Sequence, residues 1–370
     1  MDLNKRPKIG IITKPIDQGT SGSSMHLLHL VEYILKLNEK FNIILIHYNK
    51  NANEIYKNAN EIIIPKNPLL ASIRLKKENF DLIHFSPLNI LSPIWLKKTK
   101  KVATIHGGGG SQLLLPHLYG KLKLFRTKVV KPYLAKKMDH IFTGSKISKQ
   151  LISSRYSFDK TKINLTYSAV DDDFRIFKNK PIDTEIKLGI NTPFIFHLSK
   201  FSGRKNPWTI LKAFQILRER NKDISLVIGG SGWKNKEVIE YIKKSKIEEN
   251  VIFTGFISRE DVIKLLNLAK IFIFPSLFEG FGIPNLEAMA CGCPVITSNV
   301  FAIPEIVGDA ALILKDNKDP VELADKVIEI LEDEYLQKSL IQKGLERIKL
   351  YSWRASAKIV LDTYEKSLEN

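Results

Sequence analysis

Short apolar runs, rich in β-branched residues, alternate along the chain with longer stretches in which apolar positions recur every three or four residues. The short runs Lys8–Thr13, Ile43–His47, Asp81–Phe85, Val102–Ile105 and Ile141–Thr143 predict strands buried on both faces. Between them, Ser24–Leu37 and Ser145–Tyr156 have helical spacing, the second with Ser145 placed as an N-cap. The pattern then restarts with Phe194–Leu198, Ser225–Gly229, Val251–Thr254, Ile271–Phe274, Val295–Thr297 and Ala311–Leu314. Helices near Pro207–Arg220, Lys234–Lys246 and Arg259–Leu268 connect this second series. Ser258 and Asp261 precede the last of them at capping-box spacing, with Asp where Glu or Gln is usual. Strand–helix alternation of this kind predicts parallel sheets covered by helices on both faces.

The two series are separated by Asp171-Asp172-Asp173-Phe174 and by the polar stretch Lys178–Thr184, which contains Pro181. The expected fold class is therefore α/β, with two doubly wound domains over residues 1–175 and 185–350. A length of 370 residues agrees with two domains of common size. Ligands of such sheets lie beyond the carboxyl ends of the strands, and the expected site is the cleft between the domains.

Composition narrows the picture. With 44% hydrophobic and 26% charged residues the chain can fill a core, which excludes disorder over most of its length. Lys and Arg number 57 against 39 Asp and Glu, a formal charge of +18. That excess suits a nucleic acid, an anionic bilayer or phosphorylated small molecules without choosing among them. Cys291 and Cys293 flank one glycine, which fits neither a C-x-x-C site nor a disulfide framework, so a reducing compartment is expected. There is no apolar run of 18 or more residues, and Ile9–Ile12 is too short for a signal peptide. The expected location is cytoplasmic, with peripheral attachment to the inner face of the membrane as an option.

The segment running from Pro275 to Pro294 carries the most chemistry. A strand ends at Phe274, a glycine-containing loop follows, and Pro284 is suited to the first position of a short helix. Gly280 and Gly282 permit close backbone approach to a ligand. The amides of Gly282, Ile283 and Asn285 are expected at a helix N-terminus, where unsatisfied N–H groups favour an anion. Glu279 on the loop and Glu287 on the helix could take sugar and ribose hydroxyls, with phosphates between them. Taken singly, each is equally well a turn residue or a helix acid stabilised by the dipole. Upstream, Arg204 and Lys205 lie between a strand end and a Pro-started helix, where two adjacent cations can clamp a phosphate or simply face water.

This segment resembles the E-x7-E signature of the retaining GT-B glycosyltransferases of family 4. The resemblance continues through Pro294-Val-Ile-Thr-Ser-Asn and Pro304-Glu-Ile-Val-Gly-Asp-Ala-Ala, and it covers nearly the whole chain. It implies two Rossmann-like domains: an acceptor-binding one, with a C-terminal helix over 353–370 crossing back to it, and a nucleotide-sugar-binding one. It also implies roles for particular residues. Leu198-Ser-Lys-Phe-Ser-Gly-Arg-Lys-Asn-Pro207 is similar to the family's basic loop, so Arg204 and Lys205 are expected to grip the donor diphosphate, with Ser199, Gly280, Phe281, Gly282, Ile283 and Glu287 also on the donor. Gln18-Gly-Thr-Ser-Gly-Ser-Ser-Met-His26 is similar to the family's first glycine loop, although Ser21 replaces one of two glycines; Gly22 keeps the other and is expected at the diphosphate. His106, which opens into Gly107-Gly-Gly-Gly110, is expected near the donor sugar, as is Glu279. Tyr351-Ser-Trp-Arg354 opens the terminal helix, with Ser352 as its cap and Trp353 as its anchor.

The function implied is retaining transfer of a sugar from an NDP-sugar, such as a UDP- or GDP-sugar, to an acceptor hydroxyl on a saccharide or lipid-linked precursor. Neither metal nor cofactor is expected, and front-side attack and a covalent intermediate both stay open. A nucleotide-sugar 2-epimerase is the alternative of the same fold. A basic nucleic-acid-binding protein is the alternative from another class, against which stands the lack of any helix-turn-helix, RNP or zinc module. His-Gly-Gly-Gly also suits an esterase oxyanion loop, but there is no G-x-S-x-G nucleophile elbow. Asp171–Asp173 reads better as a linker than as a metal-binding D-x-D. The basic stretch 121–137 is either a water-facing flanking helix or a surface that rests on anionic membrane.

Overall fold

In the computed structural model, residues 6–17, 19, 22–48, 53–86, 88, 95–107, 110–179, 189–190 and 193–369 are described. Their strands form two wholly parallel sheets. The first contains β1 (Lys8–Ile12), β2 (Asn42–His47), β3 (Asn60–Ile63), β4 (Leu82–Phe85), β5 (Lys100–Thr104), β6 (His140–Thr143) and β7 (Ile163–Leu165), in the order β3-β2-β1-β4-β5-β6-β7. The second contains β8 (Phe194–Leu198), β9 (Ser225–Gly229), β10 (Val251–Gly255), β11 (Ile271–Phe274), β12 (Val295–Ser298) and β13 (Leu312–Leu314), in the order β10-β9-β8-β11-β12-β13. Each sheet grows outward in both directions from its first strand, so each has a topological switch point: between β1 and β4, and between β8 and β11.

All eleven strands predicted from apolar runs are present, within two residues at either end. β3 and β7 were not predicted. Their sequences, Asn-Glu-Ile-Ile and Ile-Asn-Leu, have too few apolar residues to register, because they are edge strands with less to bury. The helices α1 (Gly22–Leu37), α2 (Lys146–Tyr156), α3 (Pro207–Glu219) and α4 (Arg259–Leu268) follow the predicted periodicity. Ser145 accepts from the Ser148 amide at 3.2 Å, and Ser258 accepts from the Asp261 amide at 3.0 Å, so both predicted caps form.

Contacts divide the chain into two units, Met1–Ser168 with Ser352–Asn370, and Ala169–Tyr351. Each has its own core. The first packs Ile12, Ile46, Ile83, Phe85, Ile141 and Ile152. The second packs Phe214, Leu226, Ile228, Trp233, Ile273 and Val327.

The chain's end belongs to the first unit. With α5 given to Ile283–Ala290 of the second unit, the closing helix α6 (Trp353–Glu369) lies against α1. Ser352 caps α6 by accepting from the Ala355 amide at 3.3 Å, as expected. Buried Trp353 meets the His26 and His29 rings at 5.3 and 5.5 Å. One turn after another, α6 also buries Ala357, Val360 and Tyr364, and the Tyr364 hydroxyl bonds His84 Nδ1 at 2.6 Å. The other His84 nitrogen meets the Thr104 hydroxyl at 2.7 Å, and burial pushes this histidine down to about 3.

Candidate active site

In the second unit, two loops leave the carboxyl ends of neighbouring strands at the switch point. The β8 loop ends in a single 3₁₀ turn, Gly203–Lys205, closed by Asn206 in the left-handed region at φ 59. The β11 loop runs to Gly282, at φ 91, which precedes α5. The Leu277 amide donates to the Arg204 carbonyl at 2.8 Å, and Asn206 Nδ2 donates to the Pro275 carbonyl at 3.0 Å. Backbone and side-chain bonds thus hold the loops side by side before any charge is considered.

Three charged side chains converge there. Arg204 Nη1 donates to the Phe278 carbonyl at 2.7 Å and to Glu279 Oε1 at 2.8 Å. Lys205 Nζ donates to the same oxygen at 2.6 Å and lies 4.3 Å from the centre of the Phe274 ring. The Lys205 and Glu279 side chains are each only 12% accessible, against 30% for Arg204. Burial lowers the Lys205 ammonium, and the attraction of Glu279 does not fully compensate. For Glu279 the balance tips the other way: burial raises its carboxyl, but the two cations and the hydrogen bond from Lys205 outweigh burial and hold it below its ordinary 4.5. One carboxylate therefore fixes two cations that would otherwise repel.

Beneath them lies a neutral histidine that sequence reasoning missed. His197 is fully buried, and burial pushes it down to about 3. Its Nδ1 lies 2.9 Å from the Ile273 carbonyl, which can only accept, so Nδ1 carries the proton. Nε2 then accepts from the Ser199 hydroxyl at 2.8 Å. The Ser199 carbonyl receives the Trp233 indole N–H at 2.7 Å. Ser199, expected on the donor, thus has its hydroxyl directed inward. His197 sits inside an apolar strand and shows no motif of its own, so only burial marks it.

The glycine-loop segment departs from expectation in detail. Helix α5 starts at Ile283, so Pro284 is its second residue. The Asn285 amide is not presented outward, because it donates to the Gly282 carbonyl at 3.0 Å and tightens the first turn. The Gly282 and Ile283 amides remain at the helix start. Glu287, half-buried, lies on α5 as expected, at the start of its second turn. Gly280 is half-buried, and Phe281 is buried with its ring edge-on to Tyr351 at 5.7 Å.

In the first unit, Gly22 is the exposed first residue of α1, where an added Cβ would meet nothing within 4 Å. The rest of its loop at residues 18, 20 and 21, including Ser21, lies outside the described residues, as do Gly108 and Gly109 after His106 and linker residues 180–188 with Pro181. His106, an exposed residue, follows β5; its ring stands edge-on to His26 at 4.8 Å, and desolvation of the imidazole pushes it down to about 4. His26 is buried, and burial holds it well below its ordinary 6.5. Its Nδ1 meets the Ser168 hydroxyl at 2.7 Å. Asp171 pairs with Arg259 on α4, and Arg259 stacks on Phe174 at 4.9 Å, so Asp171 is held by a protein cation. Among the described residues no group of three or more His, Cys, Asp or Glu could hold a metal, and no helix is long and apolar enough to cross a membrane. Cys291 and Cys293 are free and buried.

Two parallel sheets with a terminal helix returning to the first define the GT-B fold, and solved structures agree. Sucrose-phosphate synthase from Thermosynechococcus elongatus matches with a TM-score of 0.79 at 18% identity, covering 98% of this chain and 99% of that one. Anabaena Alr3699/HepE, solved in complex with UDP and glucose, matches with a TM-score of 0.79 at 16% identity over 98% and 100%. Residues 21–174 match Glycosyltransferase Family 4 and residues 181–347 match Glycosyl transferases group 1. The chain belongs to this glycosyltransferase family. Among curated relatives, O-antigen chain mannosyltransferase B of Escherichia coli is 31% identical over 46% of this chain and 45% of its own length. The chain spans less than half the length of the first curated relatives it matches.

Proposed function

We propose that the chain is a retaining glycosyltransferase. It moves a hexose from a nucleotide-diphosphate sugar to an acceptor hydroxyl on a saccharide, glycolipid or other cell-envelope precursor, without a metal. The observation that carries this reading is the meeting of Arg204, Lys205 and Glu279 beside the start of α5, at the carboxyl edge of the β8–β11 switch point. Departure of the nucleotide concentrates negative charge on the diphosphate. A guanidinium and an ammonium held in place by Glu279, in a largely dry environment, stabilise that charge without reorganising. The dipole of α5 and the Gly282 and Ile283 amides add to the same field.

Because Glu279 Oε1 accepts from both cations, a bound diphosphate shares them with that oxygen. Gly280 and Phe281 shape the turn, and Glu287 takes the ribose. In the first unit, the family resemblance gives the Gly22 backbone to the diphosphate and His106 to the donor sugar. The complexes of Alr3699/HepE with UDP and the mannosyltransferase relatives support a nucleotide-activated hexose as donor.

The test is transfer by Lys205→Ala. Turnover is expected to fall by about 10²–10³, the usual cost of removing one preorganised charge stabiliser. Full activity would sink the clamp, and strict dependence on a divalent metal would contradict its metal-free operation. Nucleotide release that ignores acceptor, with an epimerised sugar as product, would favour the epimerase; steeply salt-dependent DNA binding without turnover would favour the nucleic-acid reading.

A further inference from the structure

The helical stretch 121–135 has two apolar sides. Toward its own unit it buries Thr127, Leu134 and Ala135. On the outside, Leu122, Phe125, Val129 and Tyr133 follow at intervals of three, four and four residues, a single stripe at helical spacing. They are 65%, 56%, 52% and 50% exposed. Leu114 and Leu118, on the segment just before, are exposed as well. A π turn over Arg126–Val130 occupies the middle of the stripe.

The charge around this stripe is of one sign. Lys121, Lys123, Arg126 and Lys128 interleave with it and are exposed, and exposed Lys136 and Lys137 follow it. From Leu82 to Met138 the chain has eleven Lys or Arg and no Asp or Glu. A row of large apolar side chains in water needs a cover. The cover must accept apolar groups and carry negative charge next to them. A nucleic acid would satisfy the cations but leave Leu122 and Val129 wet. A second copy of this chain would set cations against cations. An anionic bilayer meets both demands, with headgroup phosphates for the lysines, the acyl boundary for Leu, Phe and Val, and the interfacial belt for Tyr133.

We propose that the 121–135 helix docks this protein on the surface of an anionic membrane, inserting Leu122, Phe125, Val129 and Tyr133 shallowly while Lys121, Lys123, Arg126 and Lys128 pair with headgroups. The proposal is independent of the reaction assigned above. The apolar and electrostatic parts are two separate signals, so neither alone should give stable attachment.

The experiment is co-sedimentation of the full chain with phosphatidylcholine vesicles and with vesicles that mix phosphatidylcholine and phosphatidylglycerol. Binding is expected only to the mixed vesicles and should weaken severalfold as salt is raised. Leu122→Glu with Phe125→Glu should reduce partitioning at least tenfold; Lys123→Gln with Lys128→Gln should weaken it severalfold and flatten the salt dependence. As a measurement that does not rely on those variants folding, Phe125→Trp should show a blue-shifted emission on adding the mixed vesicles. The proposal is overturned by failure to bind either vesicle, by equal binding to both, or by vesicle binding that does not respond to the stripe substitutions when their circular dichroism is native. Concentration-dependent dimers abolished by the same substitutions would make the stripe a self-association face and overturn it too.

Discussion

At the residue scale, Glu279 does two things that sequence reasoning kept apart. The E-x7-E spacing marks it as a ligand-facing acid, and its position marks Arg204 and Lys205 as cations on another loop. Neither signal shows that one carboxylate oxygen binds both of them, because that contact spans more than seventy residues. Glu279→Gln is expected to cut turnover more than Glu287→Gln, since only Glu279 holds the cations; the reverse order in a steady-state assay would refute the assignment. The same substitution has a pH signature. The folded carboxyl lies below its unfolded value, so its ionisation stabilises the fold at neutral pH, and that stabilisation is lost as pH falls through the depressed value. Lys205, also depressed, acts oppositely: its burial costs stability at neutral pH and the cost is relieved only in alkali. Urea titrations should show wild type more stable than Glu279→Gln at pH 7, with the gap closing only as the pH falls below the ordinary carboxyl value of 4.5 and through the depressed one.

At the scale of elements, the site rests on the turn after β9 as much as on its own loops. Gly230 has φ 113, and a Cβ there would lie 2.1 Å from the Ser199 carbonyl oxygen, the acceptor of the Trp233 indole. Gly230→Ala therefore meets both a left-handed backbone and a backbone clash. It should destabilise the second unit by at least about 1–3 kcal/mol and loosen the loop that carries Arg204 and Lys205. Denaturant unfolding together with an assay checks this, and a neutral result would mean that the β8 and β9 ends are not rigidly packed. The helix caps at Ser145, Ser258 and Ser352 were legible because capping is local, between residues three apart. The first turn of α5 was not: proline statistics favour Pro284 at its start, whereas the left-handed Gly282 begins the helix one residue sooner.

At the scale of the whole molecule, the last helix completes the first unit although it follows the second in sequence. It buries Trp353, Ala357, Val360 and Tyr364. At about 1.5–3 kcal/mol per large apolar side chain, its loss costs on the order of 5 kcal/mol, comparable with the whole stability of a domain. A chain ending at Tyr351 is expected to lose protection against proteolysis across residues 6–168 while 193–351 stays resistant. Intact protection of the first unit in that chain would show that α6 is an accessory.

The alternation of strands and helices, the division into two sheets and the helix caps were legible along the chain, because they follow from apolar spacing and turns within a few tens of residues. The return of the terminal helix was implied only by the family resemblance, since no local spacing encodes its packing on a distant unit. Strand order, the edge strands β3 and β7, the neutral His197 under the cations and the shared oxygen of Glu279 were decided only by the tertiary structure. Each depends on which distant segments become neighbours and exclude water from one another. Burial of that kind sets protonation and pairing, and no spacing along the chain encodes it.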